Sequence, residues 1–396
     1  MSEAYQVPQR MCPKHRRFER SPALRRIDVV EQCLRALAWA SLLTVCAFAA
    51  SAQQEIPKNS AASAVAQTPG WHKIPNTQLA SVCPDTPEVH GNSGCAAIIS
   101  AWNGGIADTA GNRLIFFGGG HFDYYGNEVY ALDLTKGSLR RLTEPSPVGN
   151  LATCPESYSD GTPGARHTYN GLAYLASQSS LYLYGGARSP CGHMSNATWL
   201  LDLVTQKWTQ KDAGSTEGPA EAPGAAADYD PVTQKVYLTD TRAFFSYDPA
   251  QNKYAKLNGY SGLDYHLNAV VDPDRRLFIL IGGPGQIWAI DLKKGSKYEL
   301  RDLAKRQRGC DELAHSGYPG LAYDSNTKTI VGWVGGDSVY SFDPSTATCT
   351  TMTYTGGPGP AQQNGTNGRF RYFPALDLFA LVNDWKQDAY LLKLGK

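Results

Sequence analysis

The chain has 396 residues, 42% hydrophobic and 18% charged, with a formal net charge of +1. That length and apolar content suffice for a large buried core. Residues 1–52 hold eight Lys/Arg and four Asp/Glu, which leaves about −3 beyond them and no basic surface of the kind nucleic-acid binding requires.

A basic stretch ending at Arg35 precedes an apolar run over 36–49, closed by Ala50-Ser51-Ala52. This is the pattern of a signal peptide, with cleavage expected after Ala52. The run is short for a bilayer crossing, so no stable membrane span is expected after cleavage. Residues 53–70, rich in Ala, Ser and Gln, are expected to be a disordered spacer, and 71–396 a single, monomeric domain. Three of the nine cysteines (Cys12, Cys33, Cys46) fall in the leader and six remain. An even number suits disulfides in an oxidising compartment, periplasmic or extracellular. Of the fifteen connectivities, proximity favours Cys83–Cys95, Cys154–Cys191 and Cys310–Cys349. No CxxC spacing suggests a zinc or redox site.

Beyond the spacer a unit recurs: an apolar strand, a Gly-rich connection, an aromatic strand ending in Asp-Leu or Asp-Pro, and a closing strand. Leu181-Tyr-Leu-Tyr-Gly-Gly186 with Trp199-Leu-Leu-Asp-Leu203 is one copy, and Leu277-Phe-Ile-Leu-Ile-Gly-Gly283 with Ile287-Trp-Ala-Ile-Asp-Leu292 is another. The terminal Asp falls at 133, 202, 248, 291 and 343, steps that suit four-stranded propeller blades with one insertion. Six copies are counted, and seven is left open if 76–100 or 144–166 hides a degenerate blade. The fold class is therefore all-β, a propeller of four-stranded blades. The last copy stops one strand short at Lys396, and Gly70-Trp-His-Lys-Ile-Pro75 is the lone piece able to close the ring.

The Gly-Gly doublet, the aromatic strand and the Trp or Tyr about ten residues further on resemble the kelch repeat of galactose-oxidase-type propellers, over residues 98–396. The fold hosts many activities, so the resemblance implies architecture rather than chemistry. Oxidase chemistry is not carried over, because its copper centre needs a Tyr–Cys crosslink and the six cysteines are better used in disulfides.

In such a ring, the loops between second and third strands open on the same mouth as the links between blades. The stretch Gly118-Gly-Gly-His-Phe-Asp-Tyr-Tyr-Gly-Asn-Glu128 lies in the first loop set and is too rich in chemistry for a plain turn. The two sets together offer His121, His167, His193, His266 and His315 on one face, with His90 unplaced. HExxH, Gly-x-Ser-x-Gly and phosphate-loop motifs are missing.

Imidazoles, phenols and guanidiniums around a wet funnel suit two tasks: gripping sugars, or β-elimination on a uronic acid polymer. The latter needs a cation for the carboxylate, a base for the α proton and an acid for the leaving oxygen. The pattern is similar to that of propeller-fold polysaccharide lyases, the ulvan lyases among them. By that resemblance His121 is the base or carboxylate partner, Tyr169 or Tyr229 the acid/base, Arg188 the neutraliser, and His167 an orienting or second acid/base group. The chain departs from such lyases in carrying Trp102-Asn103 where they place another histidine. Substrate-binding candidates are Trp102, Asn103, Asp123, Tyr124, Asn127, Glu128, Asn170, His193, Arg242, His266, Asn268, Arg369, Arg371, Tyr372 and Trp385. The expected partner is an acidic polysaccharide or oligosaccharide, with a divalent metal ion as the cofactor the resemblance allows. Hydrolysis and a non-catalytic glycan- or protein-binding propeller are the alternatives.

Overall fold

The recurrent aspartates are turn-formers. Oδ1 of Asp133 accepts from the N–H groups of Thr135 and Lys136 at 3.0 Å each, and Oδ1 of Asp202 from Val204 and Thr205 at 2.8 Å each. Asp248, Asp291 and Asp343 repeat the contact. A short carboxylate folded back on the following N–H groups reverses the chain locally, so the same corner forms wherever the motif occurs.

The computed structural model describes residues 60–149, 153–211, 218–221 and 224–395. The expected leader and residues 53–59 of the expected spacer lie outside the described residues. Strand β1 (Gly70–Lys73) is followed by blade 1, formed by β2 (Gly104–Asp108), β3 (Arg113–Phe117), β4 (Val129–Asp133) and β5 (Ser138–Arg141). Blade 2 contains β6 (Arg166–His167), β7 (Leu172–Leu175), β8 (Ser180–Arg188), β9 (Met194–Asp202) and β10 (Lys207–Lys211). Blade 3 is β11 (Ala226–Asp230), β12 (Lys235–Thr239), β13 (Ala243–Asp248) and β14 (Lys253–Gly259). Blade 4 is β15 (Leu267–Asp272), β16 (Leu277–Gly282), β17 (Gln286–Asp291) and β18 (Leu300–Asp302). Blade 5 is β19 (Gly320–Asp324), β20 (Thr329–Trp333), β21 (Ser338–Asp343) and β22 (Thr348–Thr353). Blade 6 is β23 (Phe370–Phe373), β24 (Leu378–Leu381) and β25 (Tyr390–Lys393), completed by β1.

The ring closes as the lone N-terminal strand suggested: β1 runs antiparallel to β25, with Gly70 opposite Lys393 and Lys73 opposite Tyr390. The protein is a six-bladed β-propeller. Residues 76–100 fold into short helical turns, and the described part of 144–166 is a connection, so no seventh blade is hidden there. Within the expected spacer, Ser60 caps a short helix over Ala61–Val65, and Ala61 and Ala62 donate to the carbonyls of Thr135 and Leu134 on blade 1.

Each sheet buries both faces against its neighbours, which is why the strands read as near-continuous apolar runs. One apolar cluster sits at each interface. Leu183 and Trp199 meet Phe117 and Val129 between blades 1 and 2, and Trp71, Trp333 and Phe379 meet between blades 5 and 6. The three disulfides are Cys83–Cys95, Cys154–Cys191 and Cys310–Cys349. Among the described residues no helix is long and apolar enough to cross a membrane.

Candidate functional site

At one mouth of the ring the inner strand of blade 2 is interrupted. β6 and β7 both pair with β8, and between them Tyr169 takes a left-handed φ of 48°. That conformation is unfavourable for a bulky residue, and the surroundings must impose it. The Tyr169 N–H donates to the Trp102 carbonyl at 2.7 Å, tying blade 2 to blade 1. The Gly-rich loop after β3 comes down on the same break. Gly120 has φ 94°, and a Cβ there meets the His167 backbone nitrogen at 2.2 Å, so only glycine lets the loop lie this close.

The close approach stacks His121 on His167, ring centroids 4.6 Å apart. Nε2 of His167 lies 3.0 Å from Oδ2 of Asp123. Trp102 lies against His167 at 5.1 Å, and Tyr169 stands edge-on to it at 6.3 Å. Behind the turn, Asn92 and Ser93 donate their N–H groups to the carbonyls of Phe122 and Asp123, and Ser93 Oγ donates to Asp123. The Cys83–Cys95 loop thereby supports the carboxylate from outside.

The hydrogen bond from His167 is the main reason the Asp123 carboxyl is held below its ordinary value. Asp123 is thus ionised at neutral pH and takes the Nε2–H of His167, leaving the buried Nδ1 of that ring without a protein partner. Burial is the first cause lowering the His121 pKa, the neighbouring His167 the second, and Asp123 opposes both. Nε2 of His121 is closed off against Gly192, while Nδ1 makes no hydrogen bond to a described residue. Burial pushes the Tyr169 phenol up to about 12.

The aromatic wall continues past Tyr169. Tyr318 lies 6.1 Å from it, also left-handed at φ 53°, and its N–H donates to His266 as that of Tyr169 does to Trp102. His266 stacks near Tyr318 at 5.0 Å, with Nδ1 2.6 Å from Asp264 and its ring 3.8 Å from Tyr265. Tyr265, exposed, and Tyr318, buried, lie at this mouth, and neither is among the substrate-binding candidates. The usable signal is the shared spacing of Tyr169-Asn-Gly171 and Tyr318-Pro-Gly320, each ahead of an inner strand.

Other candidates go elsewhere. Asn103, Tyr124, Asn127, Glu128, Asn170, Asn268 and Arg369 are buried, and their polar atoms hold the fold. Asn127 donates to Ser146, Thr162 and the Pro163 carbonyl, and Glu128 accepts from the hydroxyls of Tyr124 and Tyr130 at 2.5 and 2.7 Å. Asn103 donates to Ala97 and Gly119, Asn268 to Pro319, and Asn170 accepts from Ala269. Arg369 donates to the carbonyls of Ile99, Asn103 and Gly365, and burial without an acid partner lowers its pKa to about 9.

Tyr229 belongs to the opposite mouth. β11 starts beside Asn170, and Tyr229, three residues further along, reaches Ser177 in the β7–β8 turn. With Arg371 and Tyr372 it lines a channel cavity of about 230 Å³. Arg371 donates there to Gly105 and Gly368, and Tyr372 to Asp377. Arg242 donates to the Glu221 carbonyl on blade 3, and Trp385 lines a separate cleft with the 83–96 loop. Arg188 ends β8 just before the turn that covers His121, donating to the carbonyls of Cys154 and Met194 and lying 3.6 Å from Glu156, which also pairs with Arg166 at 2.9 Å. His193, in the same turn, is exposed.

Among the described residues, the one group of three side chains close enough to share a metal ion is Cys154, Cys191 and His193. Two of these sulfurs form a disulfide, so neither is a thiolate ligand. That group therefore does not fit the divalent metal ion that the resemblance allows.

Asp123→Asn removes the charge that holds the His167 proton on Nε2. The variant is expected to lose stability relative to wild type near neutral pH, and the difference should shrink on acidification. Asp123 has a depressed folded pKa, so its contribution is complete above the unfolded carboxylate value of about 3.9 and vanishes as pH falls through the folded value. Chemical denaturation at pH 7 and pH 3 checks this.

No family model matches the chain, and no curated protein matches it. Among solved structures, the chain is similar to a structural-genomics protein of unknown function from Bacteroides thetaiotaomicron (12% identity, 82% of this chain and 76% of that chain, TM-score 0.50). It is also similar to YjhT (10% identity, 76% of this chain and 96% of that one, TM-score 0.52). At these identities the likeness is one of fold.

Proposed function

We propose that this is an exported, carbohydrate-active propeller that cleaves a uronate-containing polysaccharide by β-elimination at the cluster of His121, His167, Asp123 and Tyr169. The observation that carries the reading is the stack of His121 on His167, anchored by Asp123 and flanked by Tyr169. His121 is neutral at neutral pH and its Nδ1 makes no hydrogen bond to a described residue, which suits a base that takes the proton α to the carboxylate. Tyr169 remains protonated and suits the acid that gives its proton to the departing glycosidic oxygen as the C–O bond breaks and the C=C bond forms. Arg166, Arg188 and Glu156 together carry one net positive charge beside the turn that covers His121, which supports Arg188 as the attraction for the substrate carboxylate. The three disulfides fit an exported protein.

The test is absorbance at the unsaturated-uronate band when the secreted protein meets a panel of acidic polysaccharides. Tyr169→Phe is expected to lower kcat by about 10²–10⁴-fold with KM little changed. The acid limb of the kcat/KM profile is expected below about 6.5, because the histidine base is held below that ordinary value. An acid limb above 7 removes His121 as the base.

A second reading, a non-catalytic glycan-binding propeller, is favoured by one observation. Arg369 and Arg371 are buried, and Arg188 is engaged by Glu156 and backbone carbonyls. Silence across the polysaccharide panel with retained binding on a glycan array selects it.

A further inference from the structure

On the same mouth, a cleft of about 600 Å³ opens between blades 5 and 6 and shares Tyr318 with the aromatic wall. It is built from the link into β19, the β20–β21 loop and the link into β23, so it adjoins the histidine cluster through Tyr318 and Tyr169. Its chemistry differs from that of the cluster. Among the described residues lining it, none is charged: it offers the amides of Gln362 and Gln363, the hydroxyls of Ser316 and Thr366, the Tyr318 phenol and glycine backbone. Tyr318 Oη and Thr366 Oγ1 are both buried and without a hydrogen-bond partner. Burying two hydroxyls unpaired is costly, and a ligand hydroxyl entering the cleft supplies what each lacks.

We propose that this cleft is a binding subsite for an uncharged sugar residue next to the one that is cleaved, which makes the substrate a glycan with both neutral and uronate residues. The inference rests on the glycan-directed reading of the histidine cluster and adds the composition of the substrate. A carboxylate in the cleft meets no cation, so desolvating it there is unfavourable. A neutral pyranose loses little, because its hydroxyls exchange water for amides, hydroxyls and backbone. Val334, Pro360 and Ala361 give the ring an apolar wall to lie against.

The experiment is titration of the full-length secreted protein with cellotriose, xylotriose, mannotriose and trigalacturonate, followed by saturation-transfer NMR so that no turnover is needed. At least one neutral trisaccharide is expected to bind. Ala361→Trp, which fills the cleft from its wall, is expected to weaken that binding by about tenfold or more. Gln362→Ala, a truncation with little risk to folding, is expected to weaken it by about three- to tenfold. Failure of every neutral trisaccharide to bind overturns the proposal, as does neutral binding that neither variant alters. Trigalacturonate binding that Ala361→Trp abolishes overturns it as well. Neutral binding that both variants weaken, with no polysaccharide cleaved, upholds the subsite and removes the lyase reading.

Discussion

For the proposed elimination, His121→Ala is expected to lower kcat/KM by about 10²–10⁴-fold, while the circular dichroism spectrum and melting temperature stay close to wild type. Both halves of this expectation come from where the ring sits. His121 is half-buried at the mouth, with one nitrogen shut against Gly192 and the other without a hydrogen bond to a described residue, so it contributes an imidazole edge to the funnel and little to the inter-blade core. Its backbone is left-handed, φ 45°, which alanine adopts somewhat less readily than histidine, but the bonds from Asn92 and Ser93 to the Phe122 and Asp123 carbonyls keep the loop in place. Initial rates on whichever acidic polysaccharide is cleaved, with a thermal melt of the same sample, give the comparison. Turnover within threefold of wild type takes His121 out of the mechanism and leaves the His167–Asp123 pair as the base.

The second large effect is on stability. Trp71→Ala is expected to cost about 3–5 kcal/mol, the range for removing a buried large aromatic side chain. Trp71 is 7% exposed on the strand that closes blade 6. Its indole N–H donates to the Asp337 carbonyl at 3.1 Å, and its ring meets Trp333 and Tyr390 edge-on at 6.3 and 6.4 Å. Those contacts bind the N-terminal strand to blades 5 and 6 at once, so truncation loosens the closure of the whole ring. A fall in the denaturation midpoint with an unchanged denaturant slope is the expected signature. A loss below 1 kcal/mol shows that hydrogen bonding between β1 and β25 closes the ring without the indole.

Much of the architecture is legible in the sequence. The blade-ending aspartates could be counted because each makes its turn with the next few residues, a contact that depends on nothing distant. The disulfide pairs followed proximity because each cysteine pair flanks a short excursion from one sheet region. Within the expected spacer, Ala61 and Ala62 are unremarkable in composition, and their bonds to the β4–β5 turn depend on residues more than 70 positions away. At the site, the loop around His121 was visible as an excess of polar groups, but the division of labour within it was not. His121 and Asp123 reach the mouth, whereas Tyr124, Asn127 and Glu128, from the same few residues, are buried.

Turn chemistry, strand alternation and cysteine spacing act over a handful of positions, and they were enough to point to a closed ring of six or seven blades and to the loops that carry its histidines. Which polar side chains remain free at that mouth was settled by packing between blades. A buried N–H or C=O must find a partner, and whichever Asn, Glu or Arg lies nearest is drawn in: Asn127 to the Pro163 carbonyl, Arg369 to Ile99, Arg371 to Gly105. Those partners lie from 36 to 270 positions away along the chain, at distances only the closed ring brings within hydrogen-bonding reach.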